Sequence, residues 1–499
     1  MVTDKQKLTP AKLLDLAILG CLFAFAFAAP HSIAGGQTAW LVGMTLWVLR
    51  FIFRPRPKLH RTPVDYLLLG FFIITGLSAF LSYEQTLSIG KLRAASLFTI
   101  VYLVAQNIPS LKVARLLALT LIVSCFGNVV FTLGERVVGR GFTIHGVSPS
   151  SALYAAGVRD GDTLLSADAV SLRDPAQLVD ALSRPSQSPA EVRIYRYEWQ
   201  PIFRVPRGQL NPGSNPTEQL GISSWSRGRD WRASGFYGHY VTYAEVLQLI
   251  FALTLGLFIC LPNKRSWMSV ALVIGLAGFL AALLLTITRA VWLGCLISSA
   301  LILLLTLRRR TLIVITALAI PLILAGLFVL QQKRNVGFFD RSDGSTTWRE
   351  IVWAEGANLL VSNPRHLLIG IGMDSIQKRA RQWGLFDGGR LPMGHMHSNF
   401  LQIALERGIP ALLLWLAFLF VYARTLWGRI REGTNVPWME RGILLGALGG
   451  LVGFFVSGVV HYNWGDSEVV MVLYLIMGVT LALDRELAKR ETHPLADST

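Results

Sequence analysis

Long apolar runs, separated by short polar and basic segments, dominate the 499-residue chain. Hydrophobic residues make up 53% of it and charged residues only 15%. Many runs reach the roughly 20 residues that a membrane-spanning helix needs, which predicts about twelve spans. The predicted spans are 13–29, 36–53, 65–82, 93–107, 113–133, 239–261, 267–287, 290–307, 311–330, 399–424, 441–461 and 467–484. The pattern therefore predicts an all-α polytopic membrane protein.

Basic residues between the runs predict the orientation of these spans. Clusters of basic residues occur at 50–61, 264–265, 308–310 and 424–431. With both termini cytoplasmic, every cluster lies inside, and residues 134–238 and 331–398 lie outside. The formal charge of +17 then has a topogenic part, and an excess outside that suits an anionic partner such as a phosphorylated lipid. Because no soluble basic domain carries this charge, we do not expect nucleic-acid binding.

The chain carries no sequence signature of a disulfide framework, a metal site or a bound cofactor. All four cysteines, Cys21, Cys125, Cys260 and Cys295, fall inside predicted spans. Cysteines inside spans offer no pair for an extracytoplasmic disulfide, and no CxxC or HExxH motif occurs. We therefore expect neither a metal nor a cofactor.

One outside segment, 139–207, has the alternation of a small soluble α+β domain. GFTIHGV alternates like a strand, and SPSSALYAAGVRDGDTLLSADAV combines a helix, a turn and a strand. PAQLVDALS is predicted to be an amphipathic helix, and AEVRIYRYEWQPIFRVPR two alternating strands. Residues 208–231, rich in Pro, Gly and Ser, are predicted to be a polar linker. Around this insert we expect membrane helices in 1–133, 232–330 and 399–485.

The insert resembles a PDZ domain, on the strength of SPSSALYAAGVRDGDTLLSADAV. That family shows a small-residue helix, then Ala-Gly, then Gly-Asp before a strand. The resemblance implies that an extended periplasmic peptide or protein binds by strand addition. Gly139, Arg140, Gly141 and Phe142 stand where the family's carboxylate-binding loop would be. The alternative is a degenerate PDZ fold that acts only as a spacer.

The late outside loop, 331–398, is predicted to carry structure of its own. TWREIVWAEGANLLVSNP, residues 347–364, has helical periodicity and ends at Pro364. HLLIGIGMDS follows as a short apolar strand or re-entrant turn that contains Gly370 and Gly372. Loops this long in a compact protein are usually functional.

Ionisable residues flank apolar runs at three junctions on the outside. HMHSNFLQIALERG, from His395, opens one span; TRAVWLG, from Thr288, opens another; and RASGFYGHY, from Arg232, precedes a third. Such residues near membrane depth are costly and are functional candidates by default. Three such junctions predict a single polar site at one membrane face.

The order of these pieces resembles the O-antigen ligase family and its relatives, the O-antigen polymerases and protein O-oligosaccharyltransferases. The matching segments are RASGFYGHY, TRAVWLG, WREIVWAEGANLLVSNPRHLLIGIGMDS and HSNFLQIALERGIPALLLW, within about 232–415. The resemblance implies a glycosyltransferase C-like membrane fold in the bacterial inner membrane, with the active face periplasmic. It also implies a glycan on undecaprenyl pyrophosphate as donor. The PDZ-like insert departs from the usual family pattern and leaves the acceptor open.

The resemblance assigns roles to particular residues. His397 matches the histidine expected near the reacting centre, where a neutral imidazole takes the acceptor proton. Arg232 and Arg289 match the family's phosphate-handling arginines, and Arg289 is also expected to act in catalysis. Arg349 is a further candidate for phosphate or sugar, and His395, His239 and Glu406 are expected to support these groups.

Each candidate also has a structural alternative. Arg289 could extend towards the membrane interface from a helix end, and Arg232 could be an ordinary solvated charge. His239 and His397 could cap helices, and Arg349 could pair with Asp343 or Glu350. Glu406 and Arg407 could form a buried ion pair that fixes their helix.

We interpret the chain as a metal-independent transferase that moves a lipid-linked glycan onto an acceptor at the periplasmic face, and lipid A-core is one acceptor that stays open. A growing glycan chain, as in a polymerase, and a protein recruited by the insert remain open as acceptors. A transporter is disfavoured because charges cluster at one face and no inverted repeat occurs. A membrane anchor that presents a PDZ module is disfavoured by the apolar flanks of Arg289 and by the HSNF junction.

Overall fold

The structure, a computed structural model, describes residues 9–196, 200–314, 317, 344–432 and 436–492. The chain divides into two compact units. The helical unit comprises Met1–Asn128, Phe236–Leu284 and Thr288–Thr499. The sheet unit comprises Val129–Gly235 and Leu285–Ile287.

The described residues are mostly helical, and nine of their helices are long and apolar enough to cross a membrane. These nine are Pro10–Ala28, Gln85–Asn107, Leu111–Val138, Tyr240–Cys260, Trp267–Thr286, Arg289–Thr306, Ile409–Arg431, Trp438–Ser457 and Ser467–Thr492. Other helices are Ile33–Arg50, Asp65–Phe80, Gly344–Val361, Pro364–Leu368, Ser375–Arg379 and Asn399–Arg407. The prediction of a helical, polytopic membrane protein is therefore confirmed.

The count of about twelve spans is not reproduced in full. Ile33–Arg50 forms a helix but lacks the hydropathy of the nine, and Asp65–Phe80 has only 16 residues. Predicted span 93–107 is the second part of the segmented stretch Gln85–Asn107. Predicted span 311–330 lies almost wholly outside the described residues.

The single predicted span 399–424 is wrong, because two helices meet at Gly408. The helix Asn399–Arg407 ends there, and the spanning helix Ile409–Arg431 begins one residue later. Gly408 has φ 83° and ψ 165°, a conformation that few side chains tolerate. A Cβ at Gly408 would also lie 2.5 Å from the Leu368 carbonyl oxygen. Pro410 then opens the second helix, as proline favours.

Close glycine contacts fix how the helices around the predicted site run. Tyr240–Cys260 packs tightly on Trp438–Ser457, with glycines that let the two backbones approach. Close pairs along these helices are Gly256 with Gly442, Leu253 with Gly446, and Gln248 with Gly453. The rising numbers on one helix meet falling numbers on the other, so the two helices are antiparallel.

The helix Arg289–Thr306 packs against the same pair. A Cβ on Gly294 would meet Gln248 and Gly453, and a Cβ on Gly449 would meet Ile302. This helix is therefore also antiparallel to Trp438–Ser457 and parallel to Tyr240–Cys260. Consequently Tyr240–Cys260 and Arg289–Thr306 begin at the end of the bundle where Trp438–Ser457 finishes.

The sheet unit contains a six-stranded antiparallel sheet with short helices. Its strands are β1 (Phe142–Val147), β2 (Thr163–Ala167), β3 (Val170–Ser171), β4 (Ala190–Tyr195), β5 (Ile202–Val205) and β6 (Ile222–Arg227). The order is β5-β4-β2-β1-β6, and β3 pairs with β2. Helices lie at Ala152–Ala155, Pro175–Ser183 and Pro216–Leu220. The strands and helices predicted for 139–207 are present, with an apolar core that includes Phe142 and Leu178.

The predicted linker 208–231 is wrong as a structureless segment. It supplies the helix Pro216–Leu220 and the edge strand β6, and Leu220 and Ile222 join the core of the sheet unit. The other residues of β6 are exposed, so the strand shows no alternation of apolar and polar positions. That absence explains why the sequence indicated a linker.

Candidate active site

Helix ends bring the predicted site residues of the helical unit to one end of the bundle. Arg289 is the first residue of its helix, and His239 immediately precedes Tyr240–Cys260. His461 follows the end of Trp438–Ser457, at the same end of the bundle. His397 joins this end through Asn399, whose Nδ2 donates to Asn463 Oδ1 at 2.6 Å.

His395 and His397 form a compact turn just before the helix Asn399–Arg407. The His397 backbone N–H donates to His395 Nδ1 at 3.1 Å, and the ring centroids lie 4.1 Å apart. The edge of Trp348 contacts the His397 ring at 4.7 Å between centroids. His397 has φ 46°, and holding a non-glycine residue in this region costs about 1–3 kcal/mol. Such strain is common at active sites and is expected to keep the imidazole in place.

The strained turn is held by a chain of hydrogen bonds. Trp353 Nε1 donates to the Met396 carbonyl at 2.8 Å, and the Met396 N–H donates to Gln402 Oε1 at 2.7 Å. Gln402 Nε2 in turn donates to Glu406 Oε1 at 2.9 Å. Because Gln402 is one helical turn before Glu406, the helix itself aligns these groups. Glu406 is therefore connected to the turn through Gln402, and its supporting role for His397 stays a prediction.

Glu406 is also the centre of a buried polar cluster. Its carboxylate accepts from the Asp374 N–H at 3.0 Å and from the Tyr462 hydroxyl at 3.3 Å, and lies 3.6 Å from Arg407. The ion pair with Arg407 agrees with the structural alternative from the sequence. Arg407 is buried, yet its Nε and Nη1 have no hydrogen-bond partner among the described residues.

Gly370 and Gly372 let the segment after the helix Pro364–Leu368 pack closely against this cluster. The Gly372 N–H donates to the Glu406 carbonyl at 2.9 Å, and the Ile371 N–H to the Leu405 carbonyl at 2.9 Å. A Cβ on Gly370 would lie 2.4 Å from the Glu406 carbonyl oxygen. The segment is a tight turn after the helix Pro364–Leu368, so the predicted re-entrant turn is closer to the structure than the strand.

The electrostatics of the turn keep both imidazoles neutral. Burial, and then the nearby His395 ring and the charge of Arg349, lower the pKa of His397 to about 2. Burial likewise lowers the pKa of His395 to about 4. At neutral pH His397 is therefore unprotonated, the form that a general base needs, but a base works best with a pKa near the working pH, so the empty site is not yet tuned for proton transfer. Neither residue takes the N-cap position, which Ser398 occupies, so the capping alternative for His397 is wrong.

Arg349 lies on the helix Gly344–Val361, next to the turn. Trp348 contacts His397, and the charge of Arg349 contributes to the lowered pKa of that ring. Trp353, four residues on, binds the backbone of the turn. This face of the helix therefore meets the site, while Asp343, one expected ion-pair partner of Arg349, lies outside the described residues.

His239 and Arg232 occupy different units. His239 makes no side-chain capping bond, and its Nδ1 lies 3.2 Å from Thr242 Oγ1, which donates to Asp466 Oδ2 at 2.6 Å. Arg232 belongs to the sheet unit, where its backbone N–H donates to the Tyr195 hydroxyl at 3.2 Å. The phosphate-binding roles of Arg232 and Arg289 stay predictions.

The predicted peptide-binding segment of the sheet unit is covered by the chain itself. The Arg140 N–H donates to the Gly228 carbonyl at 2.8 Å, and the Gly228 N–H donates to the Gly141 carbonyl at 3.1 Å. Strand β6 pairs with β1 from Phe142 to Val147. A Cβ on Gly141 would lie 2.1 Å from the Leu164 carbonyl oxygen, and Gly139 abuts Arg227. An added strand at this edge would first require β6 to leave.

The structure adds two groups that the sequence analysis missed. Glu245 and His461 form a buried pair, with Glu245 Oε1 2.9 Å from His461 Nδ1. A glutamate within the apolar run YVTYAEVLQLIFA was the signal that could have revealed it. Among the described residues, no group of three or more His, Cys, Asp or Glu is arranged to hold a metal ion.

Comparison with known protein families matches one part of the chain. Residues 270–416, under a third of the chain, match a family model described as O-antigen ligase. The matched stretch includes Arg289, Arg349 and the turn with His397, and it excludes Arg232 and His239. No curated protein matches the chain. The match supports a glycan-transferring ligase role in general, on a chain built as a multi-pass membrane protein.

Proposed function

We propose that the protein is an inner-membrane glycosyltransferase of the O-antigen ligase type. It would move a glycan from undecaprenyl pyrophosphate onto an acceptor at the periplasmic face. The observation that carries the proposal is the neutral, strained His397, held by Trp353 and Gln402 at the end of the bundle where Arg289 begins its helix. Such an arrangement suits proton transfer beside an anionic leaving group.

In the proposed step, His397 takes the proton of the acceptor hydroxyl. The oxygen then bonds to the anomeric carbon of the donor sugar, and the bond from that carbon to the diphosphate oxygen breaks. The leaving diphosphate keeps the electron pair. Negative charge grows on it, so fixed positive groups aimed at it lower the barrier.

Arginine is suited to this second task. Arg289, Arg232 and Arg349 are the proposed phosphate ligands, because a guanidinium is permanently charged and offers a planar fork to two oxygens. Arg349 has the strongest local support, since it is close enough to His397 to affect its pKa. The site would need no metal if these cations stabilise the diphosphate.

The acceptor we favour is lipid A-core, with a glycan chain or a protein as alternatives. The PDZ-like sheet unit would favour a protein acceptor only if β6 can leave β1, because these strands are fully paired. We therefore treat the sheet unit as a spacer or partner module in the periplasm.

The proposal is tested with purified full-length protein, undecaprenyl-pyrophosphate-linked glycan and each acceptor class in turn. We expect glycan transfer to lipid A-core by the wild type and none by His397→Ala at equal protein level. Transfer by both proteins would remove His397 from the chemistry. Elongation of the donor glycan without lipid A-core would instead identify a polymerase.

A further inference from the structure

The pair of His461 and Glu245 lies beside the proposed reaction and has no role in it so far. His461 is 7% exposed and Glu245 is 1% exposed. His461 lies between the helices Trp438–Ser457 and Ser467–Thr492, and Glu245 is near the start of Tyr240–Cys260. An ionisable pair buried at the end of apolar helices is costly, and such a pair is a candidate for a functional role.

Comparison with another buried histidine shows that this pair is incomplete. His366, 4% exposed, has both ring nitrogens engaged, by the Leu359 carbonyl at 2.7 Å and the Tyr83 hydroxyl at 3.0 Å. In the other pair, Glu245 Oε2 is buried without a hydrogen-bond partner among the described residues. A buried oxygen without a hydrogen-bond partner destabilises the fold. His366 has the bonding of a structural histidine, whereas His461 and Glu245 do not.

Basic residues from three other segments of the chain act on His461. Arg349 on the helix Gly344–Val361, His395 in the turn and His239 at the start of Tyr240–Cys260 all act on it. Burial, and then these groups, lower its pKa to about 3. Titratable groups near it on its own segment are Tyr462 and Asp466. Arg349, His395 and His239 also lower the pKa of His397, so His461 and His397 share these surrounding groups.

Glu245 determines which part of the His461 ring meets a ligand. Since Glu245 Oε1 holds Nδ1, the opposite nitrogen, Nε2, is the atom that a ligand would meet. A carboxylate behind a histidine fixes its ring and stabilises its protonated form. The pair can therefore become a cationic hydrogen-bond donor when a negative group arrives at Nε2.

We propose that His461, held by Glu245, is a further binding residue for the diphosphate, to which its Nε2–H donates a hydrogen bond. This proposal rests on the proposed function and names one more contact to the leaving group. In the empty site the imidazole is neutral. A bound diphosphate adds negative charge at Nε2, which favours the protonated imidazole, while Nδ1 stays bonded to the Glu245 carboxyl group.

The proposal predicts proton uptake together with binding. Inorganic pyrophosphate is titrated into the full-length protein in lipid nanodiscs at pH 7, by calorimetry in two buffers of different ionisation enthalpy. We expect proton uptake on binding that depends on His461, read as the difference between the wild type and a variant without the imidazole. His461→Gln keeps an N–H donor but cannot take the proton, so it should bind at least about tenfold more weakly, with that uptake lost.

Two further variants separate binding from folding. Glu245→Gln should reduce both affinity and proton uptake, because a neutral amide stabilises the imidazolium less. His366→Gln is the matched control: it removes a buried histidine of similar exposure and should lower thermal stability without changing pyrophosphate binding. In the transfer assay, His461→Gln should raise KM for the lipid-linked donor more than it lowers kcat.

The outcomes separate this proposal from the proposed function. Wild-type affinity and proton uptake in His461→Gln would overturn the His461 assignment, even if glycan transfer is observed. No pyrophosphate binding by the wild type would overturn it as well. Binding that depends on His461, in a protein that transfers no glycan, would support the anion site and reject the transferase.

Discussion

The sheet unit and the site end of the helical unit treat buried polar groups in opposite ways. In the sheet unit, Asp162 is 2% exposed and receives both Arg196 Nε at 2.7 Å and Arg196 Nη2 at 2.6 Å. In the helical unit, Glu245 Oε2 and two nitrogens of Arg407 are buried with no partner among the described residues. Among the described residues of the sheet unit, only Trp231 Nε1 is a comparable buried atom.

This difference bears on where a ligand is expected, although Glu440 Oε2, at the opposite end of Trp438–Ser457, is also buried without a partner among the described residues. A domain that only needs to fold pairs its buried polar atoms, because each unpaired one costs about 1–3 kcal/mol. A binding site retains unpaired or strained groups that a ligand completes. His397 with φ 46° and the open carboxylate oxygen of Glu245 belong to the second kind. Variants at such groups are expected to have large effects on transfer, and deletion of the sheet unit a small one.

His397→Asn is expected to have the largest effect. Asparagine tolerates the left-handed conformation at this position, so the turn should survive, but an amide cannot accept the proton. We expect transfer to fall by about 10²–10⁴-fold with little change in thermal stability. Transfer rates and unfolding of the two proteins are compared in the same detergent. Near-normal turnover would show that the strain serves the fold and not the chemistry.

Arg289→Lys tests whether a fork is needed as well as a charge. Lysine keeps the positive charge and loses the two-oxygen contact. We expect a loss on the order of 10²-fold in kcat with lipid-linked donor. Arg265→Lys, at an exposed basic position after Tyr240–Cys260, is the matched control and should behave like the wild type. Equal turnover in both variants would remove Arg289 from the mechanism.

Gln402→Leu tests the support of the turn without touching the reacting groups. It removes the acceptor of the Met396 N–H and the donor to Glu406 together. Displacing His397 by a fraction of an ångström should lower kcat by up to about 10²-fold and leave KM for the donor nearly unchanged. A change in KM alone would place Gln402 in substrate binding. Leu401→Ala on the same helix controls for lost packing.

Most helices and strands of the two units could be predicted from the sequence, and the elements that were not predicted have physical explanations. Apolar runs predict helices well because burial in a bilayer demands length, and strand β4 alternates clearly between buried and exposed residues. Strand β6 was missed since only its first residue is buried. The break at Gly408 was missed because Glu406 and Arg407 were interpreted as charged residues within one long span, although Gly-Ile-Pro is a breaker signal.

The site was predictable in its residue types but not in its connections. HMHSNF and TRAVWLG carry ionisable groups beside apolar runs, which is why His397 and Arg289 could be chosen. The pairing of Glu245 with His461 joins residues 216 positions apart, and that of Asn399 with Asn463 joins residues 64 apart. Such contacts depend on helix packing through glycines, which one sequence does not reveal.

The pH profile examines the electrostatics of the site. A lowered pKa means that His397 loses its basic form only when the pH falls through that low value, far below the usual histidine value near 6.5. We expect kcat/KM of the His461→Gln variant, in which donor binding takes up no proton at that position, to change by no more than about twofold between pH 5.5 and 7.5, since it reports the free enzyme. Arg349→Gln removes a charge that lowers this pKa, so its acid limb should move upward. An acid limb near pH 6.5 in His461→Gln would contradict the neutral, buried imidazole.

Removal of the sheet unit should have the smallest effect on the chemistry. The Arg140 N–H is bonded to the Gly228 carbonyl, so deleting 140–228 and joining Gly139 to Arg229 requires little rearrangement of the flanking backbone. A deletion of 139–207 alone is the informative comparison, because it leaves Leu220 and Ile222 without their core and should cause aggregation. For the longer deletion we expect wild-type turnover with a saturating simple acceptor and weaker use of the native one, measured in one transfer assay beside His397→Ala. A folded, membrane-inserted deletion variant that is as inactive as His397→Ala with every acceptor would show that the sheet unit is part of the active site. The contrast in buried polar groups between the two units would then no longer indicate where the chemistry occurs.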